Sequence, residues 1–268
     1  MIIGNSQFLN DRTYIMGILN VTPDSFYDGS RYDVLESALK RAVQIKEEGA
    51  DIIDIGGEST RPGYKMISVD EELERVLPVI EAVKKEVDLP ISLDTYKADV
   101  AKEGIKAGVS LINDIWGLKF DRKMAHVIAD GNVSCCLMHN RKDNDYTSFV
   151  EDTIKDLSEC IDIAHNAGIK DEKIILDPGV GFAKDTEQNL QIIASLDKIN
   201  KLGYPVLLGV SRKSVIGNVL DIPKEDRLAG TLALGVYGCL HNTMFLRVHD
   251  VKEHVQAVRM IREVIKYN

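Results

Sequence analysis

Gly49-Ala50-Asp51-Ile52-Ile53-Asp54-Ile55-Gly56-Gly57 is the stretch on which the fold turns. A helical pattern over Val34–Glu48 stops at Gly49, the β-branched run Ile52–Ile55 follows, and the carboxylate of Asp54 interrupts that run. Glycine just past a helix supplies the left-handed residue that ends it, and a short, nearly continuous apolar run reads as a strand buried on both faces. The same unit recurs along the chain. Tyr14–Leu19, Ile91–Leu93, Ser110–Ile112, Val133–Met138, Ile174–Leu176, Val206–Val210 and Thr243–Val248 read as seven further buried strands. Helical patterns lie around Val69–Val87, Lys97–Ala107, Asp121–Ala129, Ser148–Ala167, Glu187–Leu202, Arg227–Leu240 and Val251–Lys266.

Eight apolar strands that alternate with helices predict a parallel sheet covered by helices. Both a closed (β/α)8 barrel and an open doubly wound sheet have this periodicity. The strand ends favour the barrel: the runs stop at Asn20, Asp54, Asp94, Asn113, His139, Asp177, Ser211 and Arg247, and only closure brings all eight ends to one mouth. Met1–Leu9, with Gly4-Asn5 as its turn, predicts a short hairpin that closes the bottom of the barrel.

Length and composition fit one α/β domain over residues 1–268, with 44% hydrophobic and 28% charged residues. Disordered, collagenous and disulfide-scaffold classes are excluded. The longest apolar stretches, such as Met16–Leu19, are too short for a membrane helix, which needs about 18 residues. The first residues lack a basic segment followed by an apolar one, so a cytoplasmic protein is expected. Cys135, Cys136, Cys160 and Cys239 have no zinc spacing and are expected to be reduced and buried. A net charge of −9, from 33 basic and 42 acidic residues, argues against nucleic acid as a partner. An anionic ligand would therefore need local cations.

The strand ends supply the chemistry. A single aspartate after a strand is often no more than a turn or helix cap. Asp54, Asp94 and Asp177 gathered with Asn20 and Asn113 are different, because buried carboxylates can accept parallel hydrogen bonds from an amino-pyrimidinone edge. The cations follow late, with Arg212 and Lys213 after strand seven and Arg247 and His249 at strand eight, where barrels frequently hold phosphate. Arg61 adds a charge after strand two, and Asn20 could join phosphate oxygens around Mg²⁺. Rival motifs fail: Gly179-Val180-Gly181-Phe182-Ala183-Lys184 has lysine at the third glycine of a dinucleotide fingerprint, and Arg212 replaces the glycine that a phosphate loop needs before Lys213-Ser214. His126, His165, His241 and His254 read as structural, and Trp116 as packing.

Gly17-Ile18-Leu19-Asn20-Val21-Thr22-Pro23-Asp24-Ser25-Phe26 resembles the first signature of the dihydropteroate synthase family, and Gly49 to Gly63 resembles the second. Ser92-Leu93-Asp94-Thr95, Ile112-Asn113-Asp114-Ile115, Asp177-Pro178-Gly179-Val180-Gly181-Phe182, Ser211-Arg212-Lys213-Ser214 and Arg247-Val248-His249-Asp250 follow in family order. The resemblance implies a homodimeric (β/α)8 transferase that joins 6-hydroxymethyl-7,8-dihydropterin diphosphate to p-aminobenzoate, releases pyrophosphate and is a target of sulfonamides. It places Asp54, Asp94, Asn113, Met138, Asp177, Lys213 and Arg247 at the pterin, with Arg247 stacked on the ring. Asn20, Arg61, Arg247 and His249 fall at the diphosphate, with Asn20 as the Mg²⁺ ligand. Phe26, Thr60, Pro62, Phe182 and Ser214 fall at p-aminobenzoate, and Asp28 joins Asn20, Lys213 and Arg247 in catalysis. The chain departs from the family pattern at Ala183, where glycine is usual, and in Asn140–Thr147, which lacks a Gly-x-Pro pattern. A pterin-binding methyltransferase acting between methyltetrahydrofolate and a corrinoid protein is the alternative, but it has no need of Arg61, Arg247 and His249 as anion ligands.

Overall fold

The computed structural model describes residues 1–22, 31–59 and 66–267. A hairpin of β1 (Ile2–Ile3) and β2 (Ser6–Gln7) precedes β3 (Tyr14–Asn20), β4 (Ile52–Gly56), β5 (Ile91–Asp94), β6 (Leu111–Asp114), β7 (Ser134–Met138), β8 (Ile174–Asp177), β9 (Leu207–Leu208) and β10 (Phe245–Val248). Between and after them run α1 (Arg31–Glu47), α2 (Val69–Glu86), α3 (Ala98–Ala107), α4 (Met124–Gly131), α5 (Phe149–Asn166), α6 (Thr186–Ala194), α7 (Leu196–Asn200), α8 (Ser214–Leu220), α9 (Leu228–Leu240) and α10 (Val251–Ile265). The strands pair in the order β8-β7-β6-β5-β4-β3-β10-β9, all in parallel, and a bridge from Leu176 to Val206 joins the two edges. The sheet is thus the closed (β/α)8 barrel that the strand ends predict.

Alternation along the strands sorts side chains into two cores. Ile15, Ile53, Ile55, Leu93, Ile112, Leu137, Leu176 and Leu246 point outward to the helices. Met16, Ile52, Leu111, Cys136, Ile175, Leu207 and Phe245 point inward, where Ile3 and Phe8 of the N-terminal segment join them. The hairpin pairs Ile2 with Gln7 and Ile3 with Ser6 and plugs the lower end, with Phe8 4.8 Å from the Tyr14 ring. Burying one such aliphatic side chain contributes about 2 kcal/mol. All four cysteines are buried and free, and among the described residues no helix is long and apolar enough to cross a membrane.

Three local expectations are corrected. The helix expected over Glu187–Leu202 breaks at Ser195, which ends α6 and starts α7. Helix α8 was absent from the pattern because Val215, Ile216 and Val219 are β-branched and Gly217 is a poor helix former. Tertiary contact explains that glycine: a β-carbon on it would stand 2.2 Å from the Arg227 guanidinium. The expected strand Val206–Val210 shortens to β9, since Gly209, Val210 and Ser211 already belong to the loop above the site.

Candidate active site

The inward face that begins with Met16 and Ile52 becomes polar one step higher. Asp54 lies two residues beyond Ile52, inside β4 rather than at its end, and is fully buried. Its register partner Ser92 donates its hydroxyl to Asp54 Oδ1 at 2.5 Å. Asp94 sits level with Gly56 and Asn113, and Asp177 sits level with Met138. Asp94, Asn113, Met138 and Asp177 are all buried, so period-two geometry and strand register bring them to one floor.

Arg247 crosses that floor from β10. Its Nε donates to Asp54 Oδ2 at 2.6 Å and its Nη2 to Asp94 Oδ2 at 2.5 Å. Burial alone would lower the guanidinium, but the two carboxylates outweigh it and hold Arg247 above its ordinary range. Burial pushes Asp94 up to about 7 despite Arg247, and its Oδ1 is buried without a hydrogen-bond partner among the described residues. Asp177 is also raised by burial, and its Oδ1 accepts from the Gly179 amide at 2.7 Å. Lys213 donates to the Val180 carbonyl, and burial brings it down to about 8. A β-carbon on Gly209 would stand 3.7 Å from Asp177 Oδ2 and 3.8 Å from Lys213 Nζ, so carboxylate and ammonium border the same space. One on Gly56 would lie 3.7 Å from Asp94 Oδ2 and 3.8 Å from Asn20 Oδ1, which puts Asn20 at the other rim.

The wall beside Asp177 is built around Lys184. Its Nζ donates to the Gly179 and Phe182 carbonyls, each at 3.0 Å, and to His139 Nδ1 at 2.8 Å. Gly179 is required there, because a β-carbon would stand 1.9 Å from the His139 carbonyl oxygen. His139 Nε2 in turn donates to Asp156 Oδ2 at 3.0 Å, a tautomer that fits a neutral imidazole lowered by burial to about 4. Phe182 is half-buried against the cluster of Tyr96, Ile115 and Met138, and Lys213 Nζ lies 4.9 Å from its ring centre. Past the end of β4, Lys97 donates to Glu58, to Glu72 at 2.6 Å and to the Ile67 carbonyl at 2.9 Å, while the Tyr96 hydroxyl donates to Glu58 at 2.6 Å. Neither the Lys184 nor the Lys97 network is legible as a sequence motif. Lys97 gives one signal, a charged residue between the buried Tyr96 and Ala98, whereas Lys184 lies between half-buried Ala183 and exposed Asp185 and gives none.

The cationic cluster needs revision. Arg212 donates twice to Asp250, at 2.9 and 2.5 Å, so its charge is neutralised by that carboxylate. His249 is not cationic: burial, then the charges of Arg247 and Lys224, lower it to about 3, and its Nδ1 pairs with the Ser211 hydroxyl at 2.9 Å. Arg247, expected to stack on a ring, holds Asp54 and Asp94 through the N–H edge of its guanidinium. Ser214 is exposed at the start of α8, and Asn20 is half-buried at the end of β3. Phe26, Asp28, Thr60, Arg61 and Pro62 lie outside the described residues.

A floor of buried carboxylates and an asparagine amide, rimmed by an arginine and a lysine, can take a ligand that presents ring N–H donors on one side and an anion on the other. The pterin binding enzyme family matches residues 16–249. A dihydropteroate synthase of Clostridium beijerinckii is 53% identical over 99% of this chain and all of that protein. Crystal structures agree: a Clostridium difficile dihydropteroate synthase with pteroic acid shares 50% identity and a TM-score of 0.93 over 95% of this chain and 97% of that one. A Yersinia pestis dihydropteroate synthase in complex with a sulfonamide drug shares 38% identity and a TM-score of 0.93 over 100% of this chain and 99% of that one. With strand register, polar floor and near-complete alignment in agreement, this chain belongs to the pterin binding enzyme family, among its dihydropteroate synthases.

Proposed function

We propose that this chain condenses 6-hydroxymethyl-7,8-dihydropterin diphosphate with p-aminobenzoate, giving 7,8-dihydropteroate and pyrophosphate. The observation that carries the reading is the buried Oδ1 of Asp94, unpartnered among the described residues, on a floor shared with Asn113 and Asp177. A buried acceptor left without a donor costs about 1–3 kcal/mol, which a pterin N–H would relieve. Asp177 would accept from the amino-pyrimidinone edge, Met138 would pack on the ring, and Lys213 and Arg247 would face the departing diphosphate. Arg61 and a neutral, hydrogen-bonding His249 would complete the anion site. Phe182, Ser214, Phe26, Thr60 and Pro62 would enclose p-aminobenzoate, with Asp28 on the first loop. The same enclosure would admit a sulfonamide, as the Yersinia pestis relative's complex supports.

The reaction needs no protein nucleophile. The methylene C–O bond breaks with its electron pair leaving on pyrophosphate, and the electron-rich dihydropterin carries the positive charge. The aniline nitrogen then forms the C–N bond and loses a proton. Fixed cations aimed at the leaving group stabilise it as its charge develops. Magnesium fits the oxygen donors present, since Asn20 offers an amide oxygen near Asp94 and this ion usually keeps few protein ligands. When bound it would neutralise charge on the diphosphate.

We place the chain in the cytoplasm, where four buried free thiols persist, and infer a homodimer. Helix α9 carries no charged residue from Leu228 to Leu240, and Val219, Leu220, Leu240 and Met260 are exposed nearby along α8 to α10, an apolar face suited to a second copy. Pyrophosphate release with both substrates, with and without Mg²⁺, tests the activity. Release that does not depend on p-aminobenzoate, or no release at all, would overturn it.

A further inference from the structure

The two places where the chain departs from its family's pattern meet in space. The loop after β7 carries Tyr146, whose hydroxyl donates to the Ala183 carbonyl at 2.9 Å across 37 residues of sequence. Ala183 stands at φ +45°, in the left-handed region where a β-carbon is disfavoured and where glycine is the ordinary occupant. Tyr146 is itself held. The Arg141 guanidinium lies 4.4 Å from its ring centre, donates to the Asp145 carbonyl at 2.8 Å and is anchored to Asp156 at 2.6 Å. The Tyr146 ring also packs edge-on against Phe149, centres 4.8 Å apart. On the other side of Ala183, the Phe182 carbonyl accepts from Lys184.

We propose that Tyr146 is a positioning residue for the second substrate: its hydroxyl holds Ala183 in the left-handed conformation and so fixes Phe182, the aromatic wall expected to meet p-aminobenzoate. The inference rests on the reading of Phe182 given under the proposed function. A glycine at 183 adopts this conformation unaided, whereas an alanine needs an external tie, and Tyr146 supplies it. The atypical loop and the atypical alanine are therefore one compensated pair. Tyr146 acts through Ala183, whose carbonyl it holds. Its removal should change how well the wall is placed and leave the pterin floor of Asp94, Asn113 and Asp177 as it is.

The test is steady-state kinetics on the full-length enzyme with Mg²⁺, varying each substrate in turn, for Tyr146→Phe, Ala183→Gly, the double variant and Phe182→Ala. Tyr146→Phe should raise KM for p-aminobenzoate about fivefold, the equivalent of one hydrogen bond, with KM for the pterin diphosphate unchanged. Introducing Ala183→Gly beside it should restore most of that loss. A merely structural role would move both KM values together, with no rescue by glycine, and either result would overturn the inference. If Phe182→Ala raises KM for p-aminobenzoate and Tyr146→Phe does not, Tyr146 fails and the Phe182 assignment stands. If Phe182→Ala leaves KM for p-aminobenzoate unchanged, the assignment of Phe182 fails and takes the inference with it.

Discussion

Arg247 and Asp94 are hydrogen-bonded at 2.5 Å through Nη2 and Oδ2, while the other oxygen of the same carboxylate has no partner among the described residues. The guanidinium on β10 thereby draws a charge from β5 to it, and through Nε it also holds Asp54 on β4. A pterin entering this floor meets an Asp94 that is already half engaged.

Arg247→Ala is therefore expected to act twice. Two buried carboxylates lose their counterion, and breaking a buried pair of this kind costs about 3 kcal/mol, measured by urea unfolding. Calorimetry should show a larger loss of affinity for the pterin diphosphate than for free hydroxymethyl-dihydropterin. Equal losses for the two ligands would contradict a role at the anion.

Asp177→Asn keeps size and removes charge. The amide oxygen would stay with the Gly179 N–H, which turns the NH₂ group toward the site and replaces an acceptor by a donor. Pterin affinity should fall by about 2 kcal/mol, the cost of mispaired buried polar groups. An unchanged calorimetric affinity would remove Asp177 from the site.

The Lys97 network predicts a stability effect away from the ligand. Burial alone would lower this ammonium, but hydrogen bonds to Glu58 and Glu72 outweigh it and raise Lys97 above its usual range. Lys97→Met would strand two buried carboxylates and should cost about 3 kcal/mol in urea unfolding. Adding Glu72→Gln to it should recover part of the loss, and strictly additive losses would show that the three groups do not act as a unit.

Two buried histidines should each cost stability in mild acid. In the folded chain burial holds His139 at about 4 and His249 at about 3, whereas both take up protons near 6.5 when unfolded. Below pH 6.5 the unfolded chain thus binds protons that these two folded imidazoles refuse, so the contribution of His139 and His249 is complete above that pH and declines as pH drops toward 4. His139→Gln, which can still donate to Asp156 and accept from Lys184, should make Tm less steep between pH 6.5 and 4. An undiminished slope would show that His139 is not a source of it.

A sulfonamide should inhibit competitively against p-aminobenzoate, because a site that grips an aromatic ring and one end group has little means of rejecting a near-isostere. Inhibition that p-aminobenzoate fails to relieve would rule out a shared site. Pyrophosphate and Mg²⁺ should tighten sulfonamide binding in a direct titration if Phe26, Asp28, Thr60, Arg61 and Pro62 close over the ring; affinity indifferent to them would exclude that closure.

The residues alone determined the barrel, the hairpin beneath it and the inward floor. Strand geometry repeats every two residues, so Ile52 and Asp54, or Ile175 and Asp177, must share a face wherever the strand lies. The motif blocks were equally local: Gly179 two residues after Asp177 is visible in the chain before any folding. What the sequence could not carry was the state of each charge. Arg247 and Asp54 are 193 residues apart, and their 2.6 Å bond exists only because β3 pairs with β10 on one side and β4 on the other. Arg212 reads as a free cation until Asp250 comes up against it, and His249 reads as a cation until burial removes the water that would have stabilised its proton. Helix α8, with its β-branched residues and Gly217, was likewise settled by contact with Arg227 against local propensity. Periodicity belongs to covalent geometry and is written in the order of residues, whereas pairing and desolvation depend on which distant groups share a space, and that is decided only when the barrel shuts.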